Sequence, residues 1–225
     1  MSMFDRDLSK WFDEAKRDGN PLLQQWFAAA AQAETISGVF SKNRDEWSRL
    51  FAASIENGTS EHLIRRSLVA QYSWAIPCET ALDCLAKYAP LIEVGAGTGY
   101  WASLLRKMDV DIMAFDSHPP KPGSKNDWHQ EHQTWTAVEQ GDCGVIVKHP
   151  GRTLFLCWPP YDDSMATDCL HAYHGNHLAY VGEHGGCTAN EEFFELLEQQ
   201  WKEIESVDIP QWDGMHDYLA IYERI

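Results

Sequence analysis

The sequence predicts an α/β fold: a doubly wound, seven-stranded, mostly parallel sheet with an antiparallel C-terminal strand and an N-terminal helical cap. Short apolar runs typical of buried strands recur from residue 89 onwards, separated by helical or loop segments. The first run leads directly into alternating glycines and an amphipathic segment, which indicates a tight strand-to-helix crossing. Residues 1–88 show helical patterns instead. We therefore predict a helical cap at 1–88 and a sheet domain at 89–225.

The N-terminal region predicts four helices that carry aromatic residues on their apolar faces. Their ranges are 4–17, 21–33, 45–55 and 60–71. Apolar helix faces need burial, so we expect these helices to pack against one another or over the sheet domain. A purely structural helical hairpin and the interface of a homodimer are the alternatives.

The stretch 91–99, Leu-Ile-Glu-Val-Gly-Ala-Gly-Thr-Gly, is the most informative part of the sequence. The apolar run at 89–94 is typical of a buried first strand. The glycines after it let the backbone turn sharply and approach a ligand that a Cβ would push away. The dinucleotide fingerprint needs a glycine where Tyr100 stands, so NAD is disfavoured. A glycine-rich turn without a chemical role is the alternative.

Two further strands are predicted at 110–115 and 135–138. The first ends at Asp116, about twenty residues after the first glycine, where doubly wound folds place a carboxylate for the ribose hydroxyls of a nucleotide. A loop cap is the alternative for Asp116. The second strand is followed by Gly-Asp-Cys at 141–143, in which Asp142 also suits an N-cap.

Glu93 stands two positions before the first glycine, which gives the loop the pattern acidic-x-Gly-x-Gly-x-Gly. In this the sequence resembles the class I S-adenosylmethionine-dependent methyltransferases, whose fold is a seven-stranded α/β sheet. The resemblance implies that S-adenosylmethionine is the cofactor, that the loop passes under it, and that Asp142 receives the adenine amino group. The cofactor-binding residues implied in this way are Glu93, Gly95, Ala96, Gly97, Gly99, Asp116, Asp142 and Cys143.

The resemblance also concerns the N-terminal helices. In many methyltransferases of this kind an N-terminal helical segment closes over the cofactor and shapes the acceptor pocket. The segment at 72–77 leads into the last helix before the first strand. We therefore expect Tyr72 and Trp74 to bind the substrate.

The predicted fourth strand, 153–157, ends in Trp158-Pro159-Pro160-Tyr161, at the sheet edge where open α/β folds bind their ligands. This corner resembles the Asp/Asn-Pro-Pro-Tyr/Phe motif of methyltransferases that modify the nitrogen of adenine, cytosine or glutamine amides. Trp158 replaces the Asp or Asn and offers only an indole N–H and a π face, which disfavours amide-type chemistry. We predict Trp158 and Tyr161 as catalytic aromatic residues facing an amine or the sulfonium, and Pro159 and Pro160 as substrate contacts. Core or rim packing is the alternative for both rings.

The predicted fifth strand, 177–181, runs into the glycine-flanked loop 182–187 at the same sheet edge. Glu183 and His184 in this loop are candidates for a general base or for orienting the nucleophile. A solvated or structural histidine is the alternative for His184. The remaining predicted elements are a helix at 191–204 and a closing hairpin with strands at 207–209 and 218–222.

Together these motifs predict methyl transfer from S-adenosylmethionine to a nitrogen, or an oxygen, of a small-molecule acceptor. Two alternatives stay open. One is N-methylation of a nucleic-acid base or a protein amide through the Trp-Pro-Pro-Tyr corner. The other is a regulatory protein that binds S-adenosylmethionine without catalysis.

The formal net charge of −16 bears on the partners of the protein. Proteins that bind nucleic acids normally carry a basic stripe that neutralises phosphates. The densest basic spots in this sequence are only Arg65-Arg66 and Lys121 with Lys125. A small-molecule partner, a cationic one included, is therefore favoured over nucleic acid.

The cysteines and the N-terminus favour a cytoplasmic protein. The six cysteines form no Cys-x-x-Cys pair, and residues 1–10 lack the apolar core of a signal peptide. No apolar run approaches the roughly twenty residues that cross a bilayer, so no membrane insertion is expected. No metal is expected either, because two histidine groups lack the spacing or complementary ligands of a dedicated site. These groups are His118, His129 and His132, and His171, His174 and His177.

Overall fold

The computed structural model describes residues 7–123 and 126–225. Its strands are β1 (Leu91–Val94), β2 (Ile112–Asp116), β3 (Glu139–Gln140), β4 (Thr153–Cys157), β5 (His177–Gly182), β6 (Trp201–Asp208) and β7 (Tyr218–Arg224). They form one sheet in the order β3-β2-β1-β4-β5-β7-β6. Strand β7 is antiparallel to β5 and β6, and the other pairs are parallel. The predicted seven-stranded, mostly parallel α/β fold is confirmed.

The α-helices of the described ranges are α1 (Pro21–Phe40), α2 (Arg44–Glu56), α3 (Glu61–Gln71), α4 (Glu79–Lys87), α5 (Tyr100–Lys107), α6 (Met165–Ala172) and α7 (Glu191–Gln200). Helix α1 begins where it does because Asn20 accepts from the backbone N–H of Leu23 and Pro21 fits the first helical position. Each of these helices is too short or too polar to span a lipid bilayer.

Side chains of β4 point alternately to the two faces of the sheet. Both faces are apolar, so helices cover both of them. Phe155 packs into one core with Trp26 of α1 and Trp101 of α5. Leu154 and Leu156 point the other way, into a second core that includes α6 and α7. The N-terminal helices thus share a core with the sheet, and the division at residue 88 stays a prediction.

The predicted C-terminal elements were partly wrong. The predicted helix 191–204 ends at Gln200, and Trp201–Asp208 forms strand β6. Charged residues such as Lys202 and Glu203 favour a helix in the sequence. In the structure β6 is the edge strand of the sheet, where both residues are exposed. Pairing with β7, rather than local preference, decides the conformation of this segment.

Two earlier segments also differ from prediction. Residues 4–6 of the predicted helix 4–17, like Lys125, lie outside the described residues, and the rest forms the 3-10 helices Leu8–Trp11 and Glu14–Lys16. The predicted strand 135–138 appears instead just after it, as β3. Within 135–138 the carbonyl of Ala137 accepts from the guanidinium of Arg106, so it is not available to a neighbouring strand.

Candidate functional site

A cavity of about 470 Å³ opens at the carboxyl ends of β1, β2 and β4. This is the edge at which open parallel sheets bind their ligands. The cavity brings together residues that were predicted from separate motifs. They are Trp74, Glu93, Gly95, Ala96, Gly97, Asp116, Trp158, Pro159, Pro160 and Tyr161.

The loop after β1 requires glycine at two positions. Gly95 and Gly97 have φ angles of 78° and 53°, in the left-handed region that other residues rarely adopt. A Cβ at Gly95 would lie 2.5 Å from Cε of Met165, and a Cβ at Gly97 would clash with the imidazole of His129. The glycines therefore let the side chains of Met165 and His129 pack directly against the backbone of the loop.

Asp116, at the end of β2, ties the second strand to this loop. Its Oδ2 accepts from the backbone N–H of Gly97 at 2.8 Å, and its Oδ1 accepts from the N–H of His118 at 2.8 Å. The side chain is buried and lines the cavity. Each oxygen keeps a second lone pair, so the carboxylate can still accept from a ligand hydroxyl.

Glu93 is a buried carboxyl group without a full set of partners. Its side chain is 2% exposed, and Oε2 has no hydrogen-bond partner among the described residues. Burial raises the pKa of Glu93 to about 8, an effect that Arg106 opposes and Asp116 reinforces. A buried carboxyl that lines a cavity and lacks a donor favours a cation or a hydrogen-bond donor there.

Trp158 forms one wall of the cavity in a strained backbone conformation. Its φ is 51°, which is uncommon for a bulky residue, and its N–H donates to the carbonyl of Val181 at 2.8 Å. The indole stacks on Trp74 with centroids 5.2 Å apart and planes at 14°. Trp128 meets Trp74 edge to face. The cavity thus has an aromatic wall of Trp158 and Trp74, whereas Tyr161, the predicted companion of Trp158, lines the same cavity but is 68% exposed.

Asp217, which was not singled out in the sequence, holds Trp158 in place. Its Oδ2 accepts from the indole N–H at 2.9 Å, and its Oδ1 has no partner among the described residues. Burial raises the pKa of Asp217 to about 6, and the bond from Trp158 opposes this rise. The only sequence signal was an acidic residue directly before the last predicted strand. The contact depends on the adjacency of β4, β5 and β7 in the sheet.

Glu183 and His184 lie outside the lining of the cavity. The buried carboxylate of Glu183 accepts from the backbone N–H of His216 at 2.7 Å and of Cys187 at 3.1 Å. Burial raises the pKa of Glu183, but these hydrogen bonds lower it by more, so the pKa lies below its usual value. The exposed ring of His184 packs against Phe194, with centroids 4.7 Å apart. Both side chains are therefore engaged with other groups of the protein.

Other predicted residues lie behind or beside the cavity. The carbonyl of Tyr72 accepts from the hydroxyl of Thr98, so Tyr72 supports the glycine loop from behind. Gly99, with φ of 68°, precedes α5. Asp142 is exposed, and its Oδ1 accepts from Gly144 N–H at 2.9 Å, where it caps the 3-10 helix Cys143–Lys148. Among residues 7–123 and 126–225, no group of three His, Cys, Asp or Glu side chains is arranged to hold a metal ion.

Residues 126–138, which precede β3, cover the glycine loop, and the sequence did not predict this. Oδ1 of Asn126 accepts from the N–H of both Trp128 and His129, which shapes a tight turn. Nδ1 of His129 lies 3.2 Å from the carbonyl of Ala70 in α3. His129 is buried, and burial lowers its pKa. The sequence of this segment is polar and typical of an exposed loop, so no local pattern indicates that it covers the glycine loop.

Comparisons of the sequence with protein-family models and with curated proteins give no match. Among solved structures, the chain is similar to MtNAS in complex with MTA and tNA, with 10% identity, a TM-score of 0.42, and 98% of this chain and 90% of that chain covered. The mitomycin 7-O-methyltransferase MmcR shows 11% identity, a TM-score of 0.39, and coverage of 98% and 76%. A Streptococcus pneumoniae protein described as a candidate tRNA (m1A22) methyltransferase shows 11% identity, a TM-score of 0.39, and coverage of 66% and 71%.

Proposed function

We propose that this protein is an S-adenosylmethionine-dependent methyltransferase that acts on a nitrogen, or an oxygen, of a small molecule. One observation carries the proposal: Glu93, whose buried Oε2 has no partner among the described residues, lines the same cavity as the left-handed glycines 95 and 97. A carboxyl group of this kind suits a cationic ligand, and the loop suits a ligand that approaches the backbone closely.

The residues present fit S-adenosylmethionine, which carries a sulfonium and an ammonium group. Glu93 offers a carboxyl group to the cationic part, and Asp116 offers acceptor oxygens to the ribose hydroxyls. His129 and Met165 rest on the glycine loop, so both side chains are expected to contact the bound cofactor. Asp142 remains the proposed contact of the adenine amino group, and Cys143 a proposed cofactor contact. When bound, the cofactor supplies an electrophilic methyl group.

The chain's own contribution to methyl transfer is alignment of the acceptor. Pro159 and Pro160 stiffen the corner after β4, and Trp158 is held by both Asp217 and Trp74. Such a rigid wall restricts the acceptor to one pose, and alignment alone can lower a barrier by several kcal/mol. The ring face attracts positive charge, whether on the sulfonium or on an amine, by about 0.5–2 kcal/mol. Tyr161 is proposed to complete this wall when the acceptor is bound.

Proton removal is not assigned to the loop after β5. Both oxygens of Glu183 accept from backbone N–H groups, and the ring of His184 packs on Phe194. We therefore propose that Glu183 positions the loop, and that an amine acceptor enters in its neutral form. A neutral amine attacks the methyl group with its own lone pair, so no residue has to remove a proton before the transfer.

The two alternatives have less support. To methylate an amide or a base, the protein needs a hydrogen-bond acceptor at the position of Trp158 to hold the amino group. The indole of Trp158 offers only a hydrogen-bond donor and a ring face. The charge of −16 opposes binding of nucleic acid. A purely regulatory protein is expected to lack an acceptor pocket, whereas the cavity continues from Glu93 to the proline corner.

Calorimetry tests the cofactor directly. Titrating the protein with S-adenosylmethionine and S-adenosylhomocysteine is expected to show binding of both, and binding of neither would overturn the proposal. A screen with labelled S-adenosylmethionine against pools of amines, hydroxyl compounds, proteins and nucleic acids then identifies the acceptor. Label transferred only to nucleic acid or protein would replace the small-molecule proposal with the first alternative.

A further inference from the structure

A second cavity, of about 320 Å³, lies between the N-terminal helices and the loop that contains Trp212. Its lining combines the small residues of α1 with the stacked rings of Trp47 and Phe51 from α2. One residue of α3, Arg65, lines this cavity and also the larger one at the sheet edge. Arg65 therefore stands at the junction of the two cavities.

Arg65 is exceptional in its surroundings. Among the described residues that line the two cavities, it is the one lysine or arginine. It is half-buried, and no ion pair joins it to a carboxylate of the described residues. Its guanidinium instead lies over the ring of Trp74, 5.7 Å from the centroid. A partly desolvated guanidinium that forms no ion pair among the described residues favours an anionic ligand.

The position of Arg65 assigns that ligand to the acceptor side. The guanidinium lies over Trp74, whose ring stacks on Trp158 at the end of β4, and Arg65 lines the cavity together with Cys187 from the loop after β5. The glycine loop and Asp116 lie beyond β4, at the ends of β1 and β2. The proposed cofactor-binding residues thus lie on the β1 and β2 side of β4, whereas Arg65 lies over the ring that stacks on Trp158.

We propose that Arg65 binds an anionic group, a carboxylate or a phosphate, of the acceptor. This inference rests on the proposed function and adds the substrate class. The reacting nitrogen or oxygen lies beside Trp158 and Pro159, the anionic group pairs with the guanidinium, and the rest of the acceptor extends towards Trp47 and Phe51. The charge of the whole protein favours cationic ligands, whereas this one guanidinium selects acceptors that carry a negative group as well.

Binding of simple aromatic probes tests the proposal without a known acceptor. Benzoate, phenyl phosphate and the neutral benzamide are titrated into wild type, Arg65→Gln, Arg65→Lys and Arg66→Gln, with tryptophan emission as the signal. Arg66 is the matched control, because it is the next residue on α3, is exposed and lines neither cavity. Circular dichroism verifies the fold of each variant.

Wild type and Arg66→Gln are expected to bind an anionic probe about 10- to 100-fold more tightly than benzamide. Arg65→Gln is expected to lose this preference, and Arg65→Lys to retain part of it, since the charge remains but the planar fork is lost. The stronger of benzoate and phenyl phosphate identifies the anionic group. Equal binding of benzamide to wild type, or an unchanged preference in Arg65→Gln, would overturn the proposal.

The cofactor provides a separate measurement. Arg65→Gln is expected to bind S-adenosylmethionine as wild type does. Loss of cofactor binding with the anion preference retained would assign Arg65 to the cofactor and overturn the inference. If wild type binds the anionic probes through Arg65 but not S-adenosylmethionine, the proposed function fails while the anion site stands.

Discussion

The indole N–H of Trp158 donates to Oδ2 of Asp217 at 2.9 Å, and this bond joins the end of β4 to the start of β7. Trp158 has a φ of 51°, a conformation that persists in a bulky residue only where its surroundings over-determine it. The bond to Asp217 and the stack on Trp74 are those surroundings. The position of Trp158, which we propose to face the acceptor, therefore depends on an acid that is remote from it in sequence.

Asp217→Ala is expected to release the indole of Trp158 and to slow methyl transfer. The buried N–H loses its acceptor, at a cost of about 1–3 kcal/mol in the free energy of unfolding. Asp217→Asn keeps an acceptor oxygen but not the charge. It should restore most of the rate if the hydrogen bond to Trp158, and not the negative charge, is what matters. Turnover of the acceptor found in the labelled-methyl screen and tryptophan emission are measured, with Asp83→Ala on the exposed side of α4 as control. A wild-type rate in Asp217→Ala would contradict this role.

Gly97→Ala is expected to abolish cofactor binding, and Gly58→Ala is its matched control. Both glycines have a left-handed φ, 53° and 66°, so both substitutions add similar backbone strain of about 1 kcal/mol. A Cβ at Gly97 would meet the imidazole of His129, whereas, its two chain neighbours apart, no atom of residues 7–123 and 126–225 lies within 4 Å of a Cβ at Gly58. Calorimetry with S-adenosylmethionine separates the two effects. Equal affinity in both variants would show that the glycine loop does not hold the cofactor.

The sequence predicts the sheet, and the association of the glycine loop with Asp116, because their signals are local. Strand β4 has the predicted bounds, and the glycine loop and Asp116 lie in one cavity as their spacing indicated. Apolar runs and left-handed glycines are properties of a few consecutive residues, so a single sequence suffices to find them.

The other side of the site arises from contacts that no local pattern encodes. His129 reaches the glycine loop through the turn made by Asn126, and Asp217 reaches Trp158 through the order of the strands. Arg65 is half of an ordinary basic pair in the sequence, and only the packing of α3 places it between two cavities. Such residues are found from the tertiary structure alone.

Asp116→Ala is expected to weaken S-adenosylmethionine binding by about 1–3 kcal/mol, because charge-assisted hydrogen bonds are lost. The same change removes the acceptor of Gly97 N–H, so the loop also loses its tie to β2. Asp142→Ala tests the adenine contact separately, since Asp142 is exposed and bonds only locally to Gly144 among the described residues. Calorimetry of both variants is informative in either case. Unchanged affinity in Asp142→Ala would remove Asp142 from the cofactor-binding set.

Tyr161→Ala is expected to slow turnover with little change in cofactor affinity. Tyr161 lines the cavity next to the proline corner, and its 68% exposure leaves the ring free to close on an acceptor. Steady-state kinetics and calorimetry measure the two quantities. Full turnover in Tyr161→Ala would mean that the acceptor binds elsewhere.

Glu93 is expected to make both stability and cofactor binding depend on pH. Burial raises its pKa from 4.5 to about 8, so between these values the folded protein keeps a proton that the unfolded chain loses. Its contribution to stability therefore falls as pH rises through this window, and Glu93→Gln removes that loss. We expect the melting temperature of Glu93→Gln to rise relative to wild type from pH 5 to about pH 8.

A cationic ligand beside Glu93 favours the carboxylate, so binding of S-adenosylmethionine at pH 7 should release a proton from wild type. Calorimetry in two buffers of different ionisation enthalpy counts the protons released, and Glu93→Gln should release fewer. Glu56→Gln, an exposed change at the end of α2, serves as the control for both measurements. A melting difference that does not vary with pH, together with equal proton release in Glu93→Gln and wild type, would mean that Glu93 neither holds the proton nor meets the cofactor.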